Sequence, residues 1–139
     1  MVNKIIAVYG TLRNGYGNHR LVEGCEYLGT FKTKPEYTMI GTGIPFVLPN
    51  GGTAITVECY HVVDHKTLRS LDSLEGHPDW YTRTPIELPN GMKVEMYVMN
   101  KVLDGHVRVM GTGNYADYYQ PYAKQSKWYK DYYNEEGDE

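Results

Sequence analysis

The stretch TAITVECYHVVDHKTLRSLDSLEG, residues 53–76, changes its period once, and that change sets the fold class. Up to Val63 the side chains alternate. Ile55, Val57, Cys59, His61 and Val63 fall on one face; Thr56, Glu58, Tyr60 and Val62 fall on the other, which is the two-residue period of a strand. From Asp64 onward the spacing lengthens to that of a helix, with Leu68, Leu71 and Leu74 as an apolar stripe. Asp64 stands where an N-cap belongs, and Gly76, with Pro78 just beyond, stands where a helix would stop.

On the N-terminal side, Ile5 to Tyr9 is a short apolar run ending at Gly10, a buried strand entering a turn. Gly10, Gly15 and Gly17 crowd the next segment, which is loop chemistry. Tyr27 to Tyr37 reads as extended but is interrupted by Lys34-Pro35. Pro45 and Pro49-Asn50-Gly51-Gly52 bracket another short extended piece and a turn. On the C-terminal side, Thr82 to Leu88 and Lys93 to Val102 read as strands joined by the hairpin signal Pro89-Asn90-Gly91. Many strands with one clear helix predict an α+β protein built on a small curved sheet or barrel.

The length of 139 residues fits one domain, and no repeat or linker divides it. We expect a single domain over residues 1–133 and a disordered acidic tail over 134–139. Asn114 to Tyr133 is polar and tyrosine-rich, and a surface loop or short helix is expected there. A net charge of -3 without a basic stripe argues against nucleic acid as a partner. No apolar run reaches the length of a signal-peptide core or a membrane span. Cys25 and Cys59 form no C-x-x-C and read as reduced, buried thiols, so a cytoplasmic location is expected. The 14 tyrosines, against 2 Phe and 2 Trp, supply apolar bulk with polar tips, as a polar pocket would need.

One carboxylate is out of place. Leu71 and Glu75 stand four apart, so Glu75 shares or borders the leucine stripe. Burial there, the negative end of the helix dipole and the nearby charge of Asp72 would each raise its pKa. A carboxyl raised toward neutrality suits a general acid/base. Glutamates at helix ends are more often solvated, and Asp72 reads as a surface or capping residue. The turn Tyr9-Gly10-Thr11-Leu12-Arg13 offers successive main-chain groups to a small zwitterion, although the turn by itself reads first as an ordinary tight loop. It lacks the Gly-Lys-Ser/Thr ending of a phosphate loop and the G-x-G-x-x-G of a dinucleotide site. His61 and His65 straddle a strand-to-helix junction, so no metal pair is expected.

Two segments together are more specific. Val8-Tyr9-Gly10-Thr11-Leu12-Arg13 resembles the Tyr-Gly-Ser/Thr-Leu signature of the gamma-glutamylcyclotransferase-like superfamily. Leu71-Asp72-Ser73-Leu74-Glu75 followed by Tyr81-Thr82-Arg83 resembles its Leu-Asp-x-x-Glu and Tyr-x-Arg signature. Asn18 to Val22, Thr56 to Tyr60 and Met110 to Tyr115 are weaker matches in the expected order. Asn114-Tyr115 departs from the Asp-Trp of the family pattern. The resemblance implies a small mixed β-barrel with few peripheral helices and a pocket at one mouth. It implies substrate binding by Tyr9, Gly10, Thr11 and Leu12, largely through the backbone, with Tyr81 and Tyr97 as further lining. It implies Glu75 as the catalytic acid/base. The reaction it implies is release of 5-oxoproline and a free amine from a gamma-glutamyl amine or isopeptide, with no metal and no organic cofactor. A monomer or weak homodimer acting on a small molecule is expected. The alternative is a binding module that keeps the pocket without turnover. Arg83 reads equally as a structural ion-pair residue.

Overall fold

The computed structural model describes residues 2–41, 43–100 and 108–119. Sheet one carries five strands in the order β2-β5-β1-β7-β6, where β1 is Lys4–Val8, β2 Glu26–Lys32, β5 Thr56–Val62, β6 Tyr81–Glu87 and β7 Lys93–Met99. All its pairings are antiparallel except β1 with β7. Sheet two holds β3 (Tyr37–Gly41) between β4 (Pro45–Thr53) and β8 (Arg108–Val109). The single α-helix among the described residues, α1, spans His65–Glu75.

The first sheet is the middle layer. Ala7 and Tyr9 of the first strand and its extension, Val57 and Cys59 of β5, and Met96 and Val98 of β7 face one core, shared with Met39 and Val47 of the second sheet. Their neighbours Ile6, Val8, Tyr60, Val62, Tyr97 and Met99 face a second core, closed by Leu68 and Leu71 of α1. The alternation is therefore real in period, but over Thr56–Val62 both faces are largely buried, while Val63 beyond the strand is exposed. A strand sandwiched between a sheet and a helix has no solvent side.

The class is α+β with a mixed sheet, as expected. The barrel expectation needs one correction: among the described residues the strands form two hydrogen-bonded sheets, and no closed barrel is present. The anticipated turn at Pro49–Gly52 is instead carried inside β4. Thr38 pairs with Leu48 and Tyr37 with Thr53, so the four residues between bulge out of register. Pro85 lies in β6, at the edge of its sheet, where a missing N–H disturbs no ladder.

The helix begins and ends as its sequence predicts. Asp64 accepts from the Lys66 N–H at 3.2 Å, and Gly76 takes the left-handed conformation at φ 66°. Leu74, however, is exposed rather than buried with Leu68 and Leu71. The tyrosine-rich segment is described only to Tyr119. Within that part Tyr115 is buried in the inter-sheet core rather than lying on the surface. The end of the predicted strand at Val102, the remaining tyrosines and the acidic tail lie outside the described residues.

Candidate active site

The first strand runs out of its sheet at Val8, and the chain turns through Gly10 to Asn18. That loop is tied down from three sides. The Arg13 N–H bonds the Gly10 carbonyl at 2.9 Å, and Asn18 bonds Thr11 twice, N–H to carbonyl and side-chain amide to hydroxyl, each at 2.9 Å. The Leu12 carbonyl meets His19 Nδ1 at 3.0 Å. Beneath the loop lies a buried ion pair. Arg13 Nε meets Glu58 Oε2 at 3.1 Å. Glu58 Oε1 also accepts from the Asn14 N–H and the Tyr60 hydroxyl, each at 2.8 Å. Arg13 Nη1 donates to Asn114 Oδ1 at 2.8 Å. Among the described residues, the N–H groups of Gly10, Thr11 and Leu12 find no acceptor within the protein.

Gly10 has to be a glycine because of packing, not backbone angle. A Cβ there would stand 2.6 Å from Pro45 Cγ and 3.0 Å from Cδ. The pyrrolidine ring cannot swing away, so the loop and β4 would have to separate. Gly10→Ala is expected to cost about 1–3 kcal/mol of stability, which denaturant unfolding checks.

The C-terminal end of α1 approaches the same loop. Glu75 is partly buried, and burial pushes its carboxyl up from the ordinary 4.5 to about 7. This is the direction expected from sequence, but the cause is desolvation. Asp72 does not contribute the anticipated repulsion, because its charge is engaged: Arg83 meets its two oxygens at 3.1 and 3.3 Å, and the Tyr97 hydroxyl donates to Oδ1 at 2.6 Å. Asp72 is thus neither a free surface residue nor a cap. Arg83 also binds Glu95 at 2.9 Å, and Glu95 binds Lys4 at 2.8 Å, so Arg83 is a structural ion-pair residue. His77 accepts the Arg83 N–H on Nδ1 at 3.0 Å, a role not visible in the sequence.

Tyr9, Gly10, Thr11, Leu12, Glu75, Tyr81 and Tyr97 all line one cavity of about 180 Å³. The predicted residues therefore come together, although they are drawn from the end of the first strand, the helix, β6 and β7. The Tyr9 hydroxyl donates to the Tyr97 carbonyl at 2.7 Å, and Tyr81 reaches the Pro45 carbonyl at 3.4 Å. Burial raises all three phenol pKa values, so these hydroxyls stay protonated donors. Tyr97 faces the helix rather than the space between the sheets, and its hydroxyl is satisfied while its body lines the cavity. Tyr97→Phe removes one hydrogen bond to a carboxylate that keeps Arg83. A loss of about 1–2 kcal/mol is expected in thermal or chemical unfolding.

Sequence reasoning missed Asn18, Ile44, Pro45, Phe46 and Leu74 in the lining. Asn18 was marked only by its place in a weak motif match and Leu74 only as part of the helix stripe; Ile44, Pro45 and Phe46 had no signal, since their position depends on how β4 packs against the loop. It also missed the Arg13–Glu58 pair and its Asn114 partner. Asn114, where the chain departs from the family pattern, accepts from Arg13 and from the Ala116 N–H. Among the described residues no group of three His, Cys, Asp or Glu side chains is placed to hold a metal ion.

The glycine-bearing loop and the desolvated carboxyl of Glu75 line one shared cavity. The family model for "Gamma-glutamyl cyclotransferase, AIG2-like" matches residues 6–117, and the chain belongs to that family. A Methanocaldococcus jannaschii protein provisionally named a gamma-glutamylcyclotransferase is 35% identical over 116 residues, covering 81% of this chain and 96% of its own. Zebrafish gamma-glutamylaminecyclotransferase B is 39% identical over 94 residues, 60% of this chain and 49% of that one. The crystal structure of a mouse AIG2-like protein superposes with a TM-score of 0.66 at 26% identity, covering 74% of this chain and 81% of that one.

Proposed function

We propose that this protein is a cyclotransferase that releases 5-oxoproline and a free amine from a gamma-glutamyl amine or isopeptide. The observation that carries this reading is Glu75, a carboxyl lifted to about 7 by burial, lining the same cavity as Gly10, Thr11 and Leu12. The main-chain donors of the loop receive the glutamyl alpha-carboxylate. Held there, the alpha-amine lies within reach of the substrate's own gamma-carbonyl, so proximity supplies much of the acceleration.

The alpha-amine arrives as an ammonium. Ionised Glu75 takes one proton, and the neutral amine closes on the gamma-carbonyl carbon, forming the ring C–N bond. The C–N bond to the leaving amine then breaks. Of the two protons the ammonium loses on becoming a lactam N–H, one passes through Glu75 to the departing nitrogen. The other ends on the released amine, which leaves as an ammonium. Loop N–H groups not engaged by the carboxylate steady the transient oxyanion.

The test is incubation of the protein with a panel of gamma-glutamyl compounds and measurement of 5-oxoproline. Production above the spontaneous rate, lost in Glu75→Gln, is the expected result. Tight binding without 5-oxoproline from any compound overturns the enzymatic reading and leaves a binding module.

A further inference from the structure

A second cavity, of about 280 Å³, shares no lining residue with the one that holds Glu75. Its size lies near the lower end of small-molecule pockets, about 300–1,000 Å³. Its walls include His19, Glu23, Tyr27, Glu58 and Tyr60. Three rings meet there. The register of β2 against β5 sets Tyr27 directly across from Tyr60, with ring centroids 5.6 Å apart. The His19 ring, from the short turn His19–Leu21, stands 5.8 Å from Tyr60. The rings are tilted, at 48° and 58°, so they form an angled corner rather than a stack. Tyr60 is the buried back wall, and Tyr27 is exposed at the mouth.

The charge in this corner has one sign. Among the described residues no lysine or arginine lines the cavity. Glu58 is already shared between Arg13, the Asn14 N–H and Tyr60. Glu23 enters no ion pair among the described residues, so its charge is available. The Tyr60 hydroxyl donates to Glu58 at 2.8 Å, and a phenol polarised by a carboxylate presents a more electron-rich ring. His19 Nδ1 meets the Leu12 carbonyl, which can only accept, so Nδ1 carries the hydrogen and Nε2 of the neutral ring keeps its lone pair. Burial and the charge of Asp64 push the Cys25 thiol up, so Cys25 brings neither a thiolate nor a nucleophile to this wall.

These features fit one class of ligand. An anion would meet Glu23 with no cation opposite it. A metal ion would need a cluster of ligating side chains, and among the described residues there is none. An organic cation is drawn by the ring faces and by the carboxylate together. We propose that this cavity is a binding site for a small organic ammonium ion, seated against Tyr27, Tyr60 and His19 with Glu23 as its counter-charge. The site stands whether or not Glu75 turns over a substrate.

The experiment is an NMR titration of the isotope-labelled full chain at constant ionic strength. The probes are choline chloride, n-butylammonium chloride and 3,3-dimethylbutan-1-ol, the uncharged isostere of choline. Saturable shifts at residues 19–27 and 58–60 with either ammonium ion are expected, with a Kd of about 1–10 mM. The alcohol should bind at least about fivefold more weakly. Tyr27 is exposed, so its variants should fold. Tyr27→Leu, which keeps apolar bulk but loses the ring, should weaken ammonium binding at least about threefold, and Tyr27→Phe should restore it. No saturable shift with either ammonium overturns the site, as do shifts confined to residues 9–12 and 75. Equal affinity for the alcohol, or unchanged affinity in Tyr27→Leu, overturns recognition of the charge by the rings.

Discussion

Glu75→Gln is expected to lower kcat for 5-oxoproline release by about a hundred- to ten-thousand-fold, the usual worth of a positioned acid/base. Glutamine keeps the volume and the hydrogen-bonding oxygen but cannot carry a proton between two nitrogens. Binding of a gamma-glutamyl ligand should persist, because the loop is untouched. The wild-type pH profile follows from the same carboxyl. Its pKa lies near 7, and the base works only when ionised, so kcat/KM should rise with pH through a limb centred near 7. That limb should vanish in the residual activity of the variant.

Stability should move the other way. The folded chain holds the Glu75 proton up to about 7, whereas the unfolded chain releases it near 4.5. Between those values the unfolded state binds fewer protons, so stability falls as pH rises, by up to about 3 kcal/mol once the window is crossed. Glutamine has no such proton. Glu75→Gln should therefore be as stable as the wild type at pH 4 and more stable at pH 8, measured by denaturant unfolding at both. A variant that loses activity and gains stability only above the window ties the two effects to one titration. Equal stability differences at both pH values would show that the carboxyl is not desolvated.

The second large effect is expected at the ion pair beneath the loop. Glu58→Ala removes the acceptor of Arg13, of the Asn14 N–H and of the Tyr60 hydroxyl at once. Arg13 is 9% exposed and Glu58 7%, so the orphaned guanidinium stays largely out of water. Breaking a buried pair from one side costs about 3–5 kcal/mol. Replacing both members by apolar residues of similar size costs much less, because no charge is left stranded. The double variant Arg13→Met with Glu58→Met should accordingly unfold at a higher denaturant concentration than Glu58→Ala alone. Both should raise KM, since Arg13 follows Leu12 and its side chain fixes the strand end that carries the loop. Additive losses in the two single variants would mean the pair is too solvated to matter.

The local signals in this chain were strong. The switch of period at Asp64, the cap it provides and the left-handed stop at Gly76 are properties of neighbouring residues, and each is found where the sequence places it. The spacing of Leu71 and Glu75 also put a carboxylate toward the apolar side. Resemblance to the family carried further than spacing, since it joined Tyr9 to Leu12 with Glu75 across more than sixty residues of chain. Local reasoning had no means of making that connection.

What a neighbour list along the chain could determine by itself was the alternation of β5, the extent of α1, the place of the helix cap and stop, and a suspicious acid at the helix end. Only the packed molecule decided that both faces of β5 are buried, that Asp72 is occupied by Arg83 and Tyr97, and that Pro45 presses on Gly10. It alone placed Ile44, Phe46 and Leu74 around the acid. The reason is one of range. Backbone conformation responds to residues three or four positions away, whereas desolvation and ion pairing depend on which distant segments pack together, and Arg13 finds Glu58 only because β1 lies against β5.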